Sequence, residues 1–305
     1  MKTPFPSLLT TASLLLAPLA VPSRADVLYA SSFNNNTIEK YTVGGVGSLF
    51  ASNGLNNPEG IAFDSAGNLY AANTGNNTIE KFTSGGVGTI FAHSLSGVLG
   101  LAFDRAGNLY AASPSTNTIE KFTSDGVGSV FASSGLSYPV GLAFDSAGNL
   151  YVTNLNGNTI ERFTQGGVGS VFASAGLSAP SGLAFDMAGN LYVANIDSNT
   201  IVRFTQGGVG TLFASGLNAP VGLAFDSAGN LYAANNFSFA IEKFAPNGVG
   251  SFFANAGFNS PDFLAFTDDF GVPLKLANQR GVPEPSTWTM LALGLPALLA
   301  ARRRR

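Results

Sequence analysis

The strongest constraint on this chain is an internal repeat. The Asp of an Ala-Phe-Asp triplet recurs as Asp64, Asp104, Asp145, Asp186 and Asp226, at spacings of 40, 41, 41 and 40 residues. A period of that length belongs to propeller blades or solenoid coils and has to be read before any local motif. One unit runs Gly141-Leu-Ala-Phe-Asp145, then Gly148-Asn-Leu-Tyr-Val-Thr-Asn154, Thr159-Ile-Glu-Arg-Phe-Thr164 and Gly169-Ser-Val-Phe-Ala173. These are four short runs rich in β-branched and aromatic residues, each bounded by Gly, Asn, Asp or Ser, which is strand chemistry. In the link after the first run, Asp145 can bond nearby backbone amides and Gly148 can take a left-handed conformation, so the link predicts a hairpin. Each repeat is therefore expected to be a four-stranded antiparallel sheet.

The count of units decides between a ring and an open stack. Five complete units begin at Gly60, Gly100, Gly141, Gly182 and Gly222. Before them, Val27 to Ala51 matches only the second, third and fourth strands; after them, Phe263-Leu-Ala-Phe266 matches only the first. The two partial units make one blade. An all-β, six-bladed propeller closed by pairing N-terminal strands with a C-terminal strand follows, because an open solenoid needs no such complementarity.

Composition agrees with a blade repeated six times. Seventeen of the 25 Phe occupy three repeating places, and six of the eight Tyr follow the Leu of the second strand, which marks them as packing positions between blades. Charged residues are only 11% of the chain. Cys is absent and His93 is the single histidine, so disulfides, thiolate chemistry and multi-histidine metal centres are excluded. Between Asp26 and Val282 there are 9 Lys and Arg against 17 Asp and Glu, a net of -8. An acidic body does not bind nucleic acid through its phosphates.

Both ends read as address labels. Lys2 followed by the largely apolar stretch Leu8 to Val21 and small residues before Asp26 predicts a signal peptide over residues 1–25, cut by the export machinery between Ala25 and Asp26. After the propeller, placed at 26–270, residues 271–281 read as a linker. Pro283-Glu284-Pro285 then precedes fifteen mostly apolar residues, Thr287 to Ala301, and the block Arg302, Arg303, Arg304 and Arg305. As a helix the apolar segment would span about 22 Å of a hydrocarbon core of about 30 Å. That is a short transmembrane anchor, with the arginines retained on the cytoplasmic side. The tripartite tail, 282–305, resembles the PEP-CTERM sorting signal of bacterial exported proteins. The resemblance implies the Sec pathway, an exosortase as processing partner near Pro283-Glu284-Pro285, transient membrane anchoring, and release to the cell surface or extracellular space.

The repeat itself, Pro-x-Gly-Leu-Ala-Phe-Asp-x-x-Gly-Asn-Leu-Tyr as in Pro139 to Tyr151, resembles NHL-type repeats and the SMP-30-like, gluconolactonase-like and streptogramin-lyase-like six-bladed propellers. The lyase resemblance implies a histidine base, for which this chain offers no match. Chemistry was sought where equivalent positions differ between blades. The residue between Pro and Gly of the first strand is Glu59, Leu99, Val140, Ser181, Val221 and Asp262 around the ring. Glu59 and Asp262 fall on blades that closure makes neighbours. They are either a carboxylate pair able to hold Ca²⁺ with backbone oxygens and water, or two unrelated substitutions. No catalytic residue and no other cofactor is assigned. The near-identity of the blades and the two sorting signals favour a non-enzymatic binding or scaffold protein, with extracellular polysaccharide or envelope proteins as partners. The alternative is a metal-dependent lactonase- or lyase-like enzyme with a channel site.

Overall fold

The structure, a computed structural model, describes residues 25–255, 257, 259–268 and 271–274. The expected signal peptide up to residue 24, the Pro283-Glu284-Pro285 motif, the apolar segment and Arg302–Arg305 lie outside the described residues. Six four-stranded antiparallel sheets are arranged as blades. The closing blade holds β1 (Asp26–Ser32), β2 (Thr37–Thr42) and β3 (Gly47–Ala51), with β24 (Pro261–Asp268) as its inner strand. Five complete blades follow: β4–β7 from Pro58 to Ala92, β8–β11 from Leu101 to Ala132, β12–β15 from Pro139 to Ala173, β16–β19 from Pro180 to Ser215 and β20–β23 from Pro220 to Ala254. Closure is made by β1 on β24, with Asp26 opposite Asp268 and Ala30 opposite Leu264.

Each turn forms for the reason its residues suggest. Asp145 Oδ1 accepts the Ala147 and Asn149 amides at 2.9 and 2.8 Å, and Gly148 stands at φ 83°. The next strand places Tyr151 edge-on against Phe172 of its own blade and Phe185 of the following one, with centroids 4.9 and 5.1 Å away. The same three-ring contact recurs from Tyr29 with Phe50 and Phe63 round to Tyr232 with Phe253 and Phe266. Each such pair adds about 0.5–1.5 kcal/mol to the stabilisation from burial alone.

Around the axis the inner strands touch backbone to backbone. A Cβ on Gly60, Gly100, Gly141, Gly182 or Gly222 would collide with the carbonyl oxygen of Leu99, Val140, Ser181, Val221 or Asp262 on the next blade. Only glycine admits this approach. Two mouths result. At the narrow mouth the inner strands begin, carrying the variable residue of Pro-x-Gly; at the wide mouth they end in the Asp turns. The wide mouth opens on a cavity of about 410 Å³. Its wall includes Phe63, Phe103, Phe144, Phe185, Phe225 and Phe266, and Val272 and Leu274 reach it after folding back against β24. Among the described residues no helix is long and apolar enough to cross a membrane.

Gly182→Ala should lower unfolding stability by about 1–3 kcal/mol, the usual range for a small group forced into a packed site. Gly207→Ala, in an exposed turn with only Thr205 Oγ1 near its Cβ, should change it little. Urea unfolding of the two variants checks this, and equal stabilities would remove the backbone-contact account.

Candidate functional site

Sequence places Glu59 on β4 and Asp262 on β24, and ring closure sets these strands side by side. Asp262 is buried and Glu59 partly so. The Asp262 Oδ1 oxygen accepts a 2.8 Å bond from the Asn236 side-chain amide, whereas its buried Oδ2 has no partner. Thr74 Oγ1 lies 3.1 Å from both Glu59 Oε1 and the Val98 carbonyl oxygen. A hydroxyl has one proton to give. If Thr74 donates to Val98, a protonated Glu59 completes the chain by donating to Thr74. Ser31 locks the backbone behind both acids, donating to the Glu59 carbonyl at 2.6 Å and accepting the Phe263 amide at 3.0 Å.

This setting favours the neutral acids. Burial, with the Asp262 charge adding to it, pushes the Glu59 carboxyl up to about 8 against the opposing Thr74 bond. Burial pushes Asp262 up to about 7, with the Asn236 bond opposing. Both carboxyls are therefore held toward the protonated form, and they titrate as a coupled pair.

Thr74 and Asn236 escaped the sequence reading, and Ser181 entered it only as one of the six variable positions. The residue just past the second strand is Phe33, Pro114, Leu155 and Ile196 in four blades but Thr74 and Asn236 in the two flanking the acids. That substitution pattern was a readable signal, one step beyond the end of the second strand. Ser181 stands three blades round from Glu59, across the axis, and its buried hydroxyl also lacks a partner. The mouth is thus divided. An arc of Asn236, Asp262, Glu59 and Thr74 is polar, and the arc of Leu99, Pro114, Val140 and Leu155 is apolar.

Other candidates are placed elsewhere. Asn154 and its equivalents satisfy loop backbone: its Oδ1 accepts the Ser137 amide and its Nδ2 donates to the Gly135 carbonyl. The lysines of the third strand bind within their own blade, as Lys81 does with Asp64 at 3.6 Å over the Tyr70 ring. His93 is exposed and meets only the Ser94 hydroxyl, far from any channel role. Ala25 is exposed, while Asp26 is buried and accepts the Ser227 amide at 2.7 Å. Among the described residues no three His, Asp or Glu gather as a metal cluster. A hard cation at Glu59 and Asp262 would therefore draw the rest of its shell from neutral oxygens.

Comparison with known proteins agrees with this architecture. The virginiamycin B lyase family model matches residues 18–254, and the PEP-CTERM protein-sorting motif matches 281–305. The fold is similar to virginiamycin B lyase from Staphylococcus aureus, at 20% identity over 80% of this chain and 82% of that one, with a TM-score of 0.59. It is similar too to the catalytically inactive histidine-to-alanine variant of that enzyme with quinupristin, at 18% identity, 82% and 94% coverage and a TM-score of 0.62. A gluconolactonase from Xanthomonas campestris shares 19% identity over 69% and 82% of the two chains, at a TM-score of 0.60. No curated protein matches the sequence. The sorting motif marks an exported protein with a membrane-associated sorting step. The expectation of a non-enzymatic propeller is corrected here. The family matched is one of lyases, and the blade-to-blade uniformity behind that expectation reflects the packing demands of the ring. From its matched repeat, this chain belongs to the virginiamycin B lyase family.

Proposed function

We propose that the protein is an exported enzyme acting on an ester or lactone at the narrow mouth, by proton transfer through Glu59 and Asp262. The observation that carries this reading is the buried acid pair with one oxygen, Asp262 Oδ2, free of any internal partner. Asp262 can take a proton at Oδ2 while Glu59 gives one to the leaving oxygen: in an elimination the proton comes from the carbon that becomes part of the new double bond, and in an ester hydrolysis from the water whose oxygen bonds to the carbonyl carbon, so either step balances. Asn236 and Thr74 fix the two carboxyl groups. The Leu99, Pro114, Val140 and Leu155 arc would hold apolar substrate surface. The lyases and the gluconolactonase that share the fold support the substrate class. Their histidine chemistry is not carried over, since His93 is remote.

Ca²⁺ fits the same donors. Glu59 and Asp262 would hold it, with Ser181 Oγ among the neutral oxygens, and when bound it would polarise a substrate carbonyl. For the ends, we infer signal cleavage between Ala25 and Asp26, exosortase cleavage near Pro283-Glu284-Pro285, and a mature protein at the cell surface or outside the cell.

Three outcomes are expected. On a panel of lactones and cyclic esters, with and without Ca²⁺, Glu59→Gln and Asp262→Asn should each lower kcat by about 10²-fold or more, the scale of general acid–base catalysis. Turnover untouched by both substitutions would defeat the assignment. Secondly, a folded acid whose titration lies above the ordinary 4.5 binds more protons than the unfolded chain between there and about 8, so stability should fall as pH rises through that window. In chelator, the double variant should flatten this fall; Ca²⁺ should raise Tm more at pH 8 than at pH 5, because protons compete for the same oxygens. Thirdly, Trp288 is the single tryptophan and follows the processing motif. Released protein should show no tryptophan emission, and a tryptophan signal would rule out cleavage there.

A further inference from the structure

The wide face carries two features that neither the fold nor the proposed chemistry uses. The turn between the third and fourth strands of each blade exposes one valine: Val46, Val87, Val127, Val168, Val209 and Val249, each 64–70% exposed. Val43, Met187 and Val272 add exposed apolar surface on the same side. These turns are held at one level, because the glycine before each valine sits on the preceding blade, as Gly86 does on the Phe50 carbonyl and Gly208 on that of Phe172. The wide-face turns hold both signs of charge: Asp64, Asp104, Asp125, Asp145, Asp186 and Asp226 lie there beside the cations, and Lys81, Lys121 and Lys243 pair with three of them. All seven Lys and Arg among the described residues, Lys40, Lys81, Arg105, Lys121, Arg162, Arg203 and Lys243, lie beside the wide-face turns. The narrow face presents Glu59, Asp197 and Asp262 and no cation.

The chain also leaves from this side. β24 ends at Asp268, and Leu274 lies at the wide mouth, bonded to the Phe266 carbonyl. Twelve residues, 275–286, separate it from the apolar run Thr287 to Ala301. Fully extended they reach about 40 Å. A detour around a blade to the narrow face would cross four strand spacings of about 4.8 Å and descend a strand of about 17 Å, which consumes nearly all of that reach.

We propose that the wide face rests on a lipid bilayer while the C-terminal segment anchors the precursor, with the valine ring touching the lipid. The proposal rests on the sorting motif's membrane step. A ring of exposed apolar side chains, on the side from which the chain leaves toward its apolar segment, suits the boundary of a bilayer. The acidic narrow mouth then faces away from the bilayer and stays open to substrate before release.

The absence of Cys allows single labels. Full-length chains carrying Val87→Cys, Val168→Cys or, on the narrow face, Asn156→Cys or Asp197→Cys are labelled with an environment-sensitive dye. They are reconstituted in vesicles of phosphatidylethanolamine and phosphatidylglycerol containing nitroxide lipid. Blue-shifted emission and quenching are expected at the two valine positions and neither at the other two. Combining Val46→Asp, Val168→Asp and Val209→Asp should abolish the shift at a Val87→Cys label while the chain still floats with the vesicles. Equal signals from both faces, or signals from the narrow face alone, overturn the proposal and leave anchoring intact. Failure to float overturns both. A shift at Val87 without vesicles would indicate a second copy of the chain on this face and also overturns it.

Discussion

The ring depends on one contact made six times: a tyrosine from the second strand wedged between a phenylalanine of its own blade and one of the next. A propeller blade is a small sheet that cannot bury both faces by itself, so its stability lies in its neighbours. Tyr70 between Phe91 and Phe103 is one such joint, and Tyr232 between Phe253 and Phe266 is the joint that completes the circle. The hydrophobic clusters accordingly straddle blades and are not confined to one sheet. With few charges available, side-chain ion pairs are confined to the turn side, where Lys121 and Lys243 reach Asp104 and Asp226.

Uniform joints free the axial positions to vary. The glycines of the inner strands bring backbones into contact, and the residue just before each glycine is thereby delivered to the narrow mouth, outside the clusters that join the blades. That is why two acids can be accommodated there. Their desolvation is tolerated because the Asn236 amide and the Thr74 hydroxyl meet one oxygen of each, and because protonation removes the charge near neutral pH. Ser31 repeats a device found at Thr153, which links the Gly141 amide to the Ser181 carbonyl in the same manner. The hydroxyl at this position is thus a structural bridge in two blades, and beside the acids it also fixes their separation.

The architecture was legible because it is written in periodicity. Spacing, turn residues and the two partial units were sufficient to specify six blades and the seam between β1 and β24. The acids themselves were visible as breaks in the repeat. Their surroundings were not, for a physical reason: whether a carboxylate lies in water or in a dry ring depends on contacts between residues more than 200 apart, such as Ser31 with Phe263. Asn236 sits 26 residues from Asp262, on the preceding blade, and its break in the repeat does not by itself say which group it meets. The inference that failed was functional. Near-identical blades were read as a sign of passive binding, although identity of the joints says nothing about the six residues lining the mouth.

The seam has a consequence for the order of events during export. Its two halves are the first and last strands to be synthesised, so β1 to β3 must wait as a three-stranded sheet with an open inner edge until β24 has crossed the membrane. The hairpins of the five complete blades can form meanwhile from local sequence, but the circle cannot. Final folding is thereby deferred until translocation is complete. Because Asp26 and Asp268 meet as partners, the two flanks emerge side by side, and the circle can shut without passing one end through a loop.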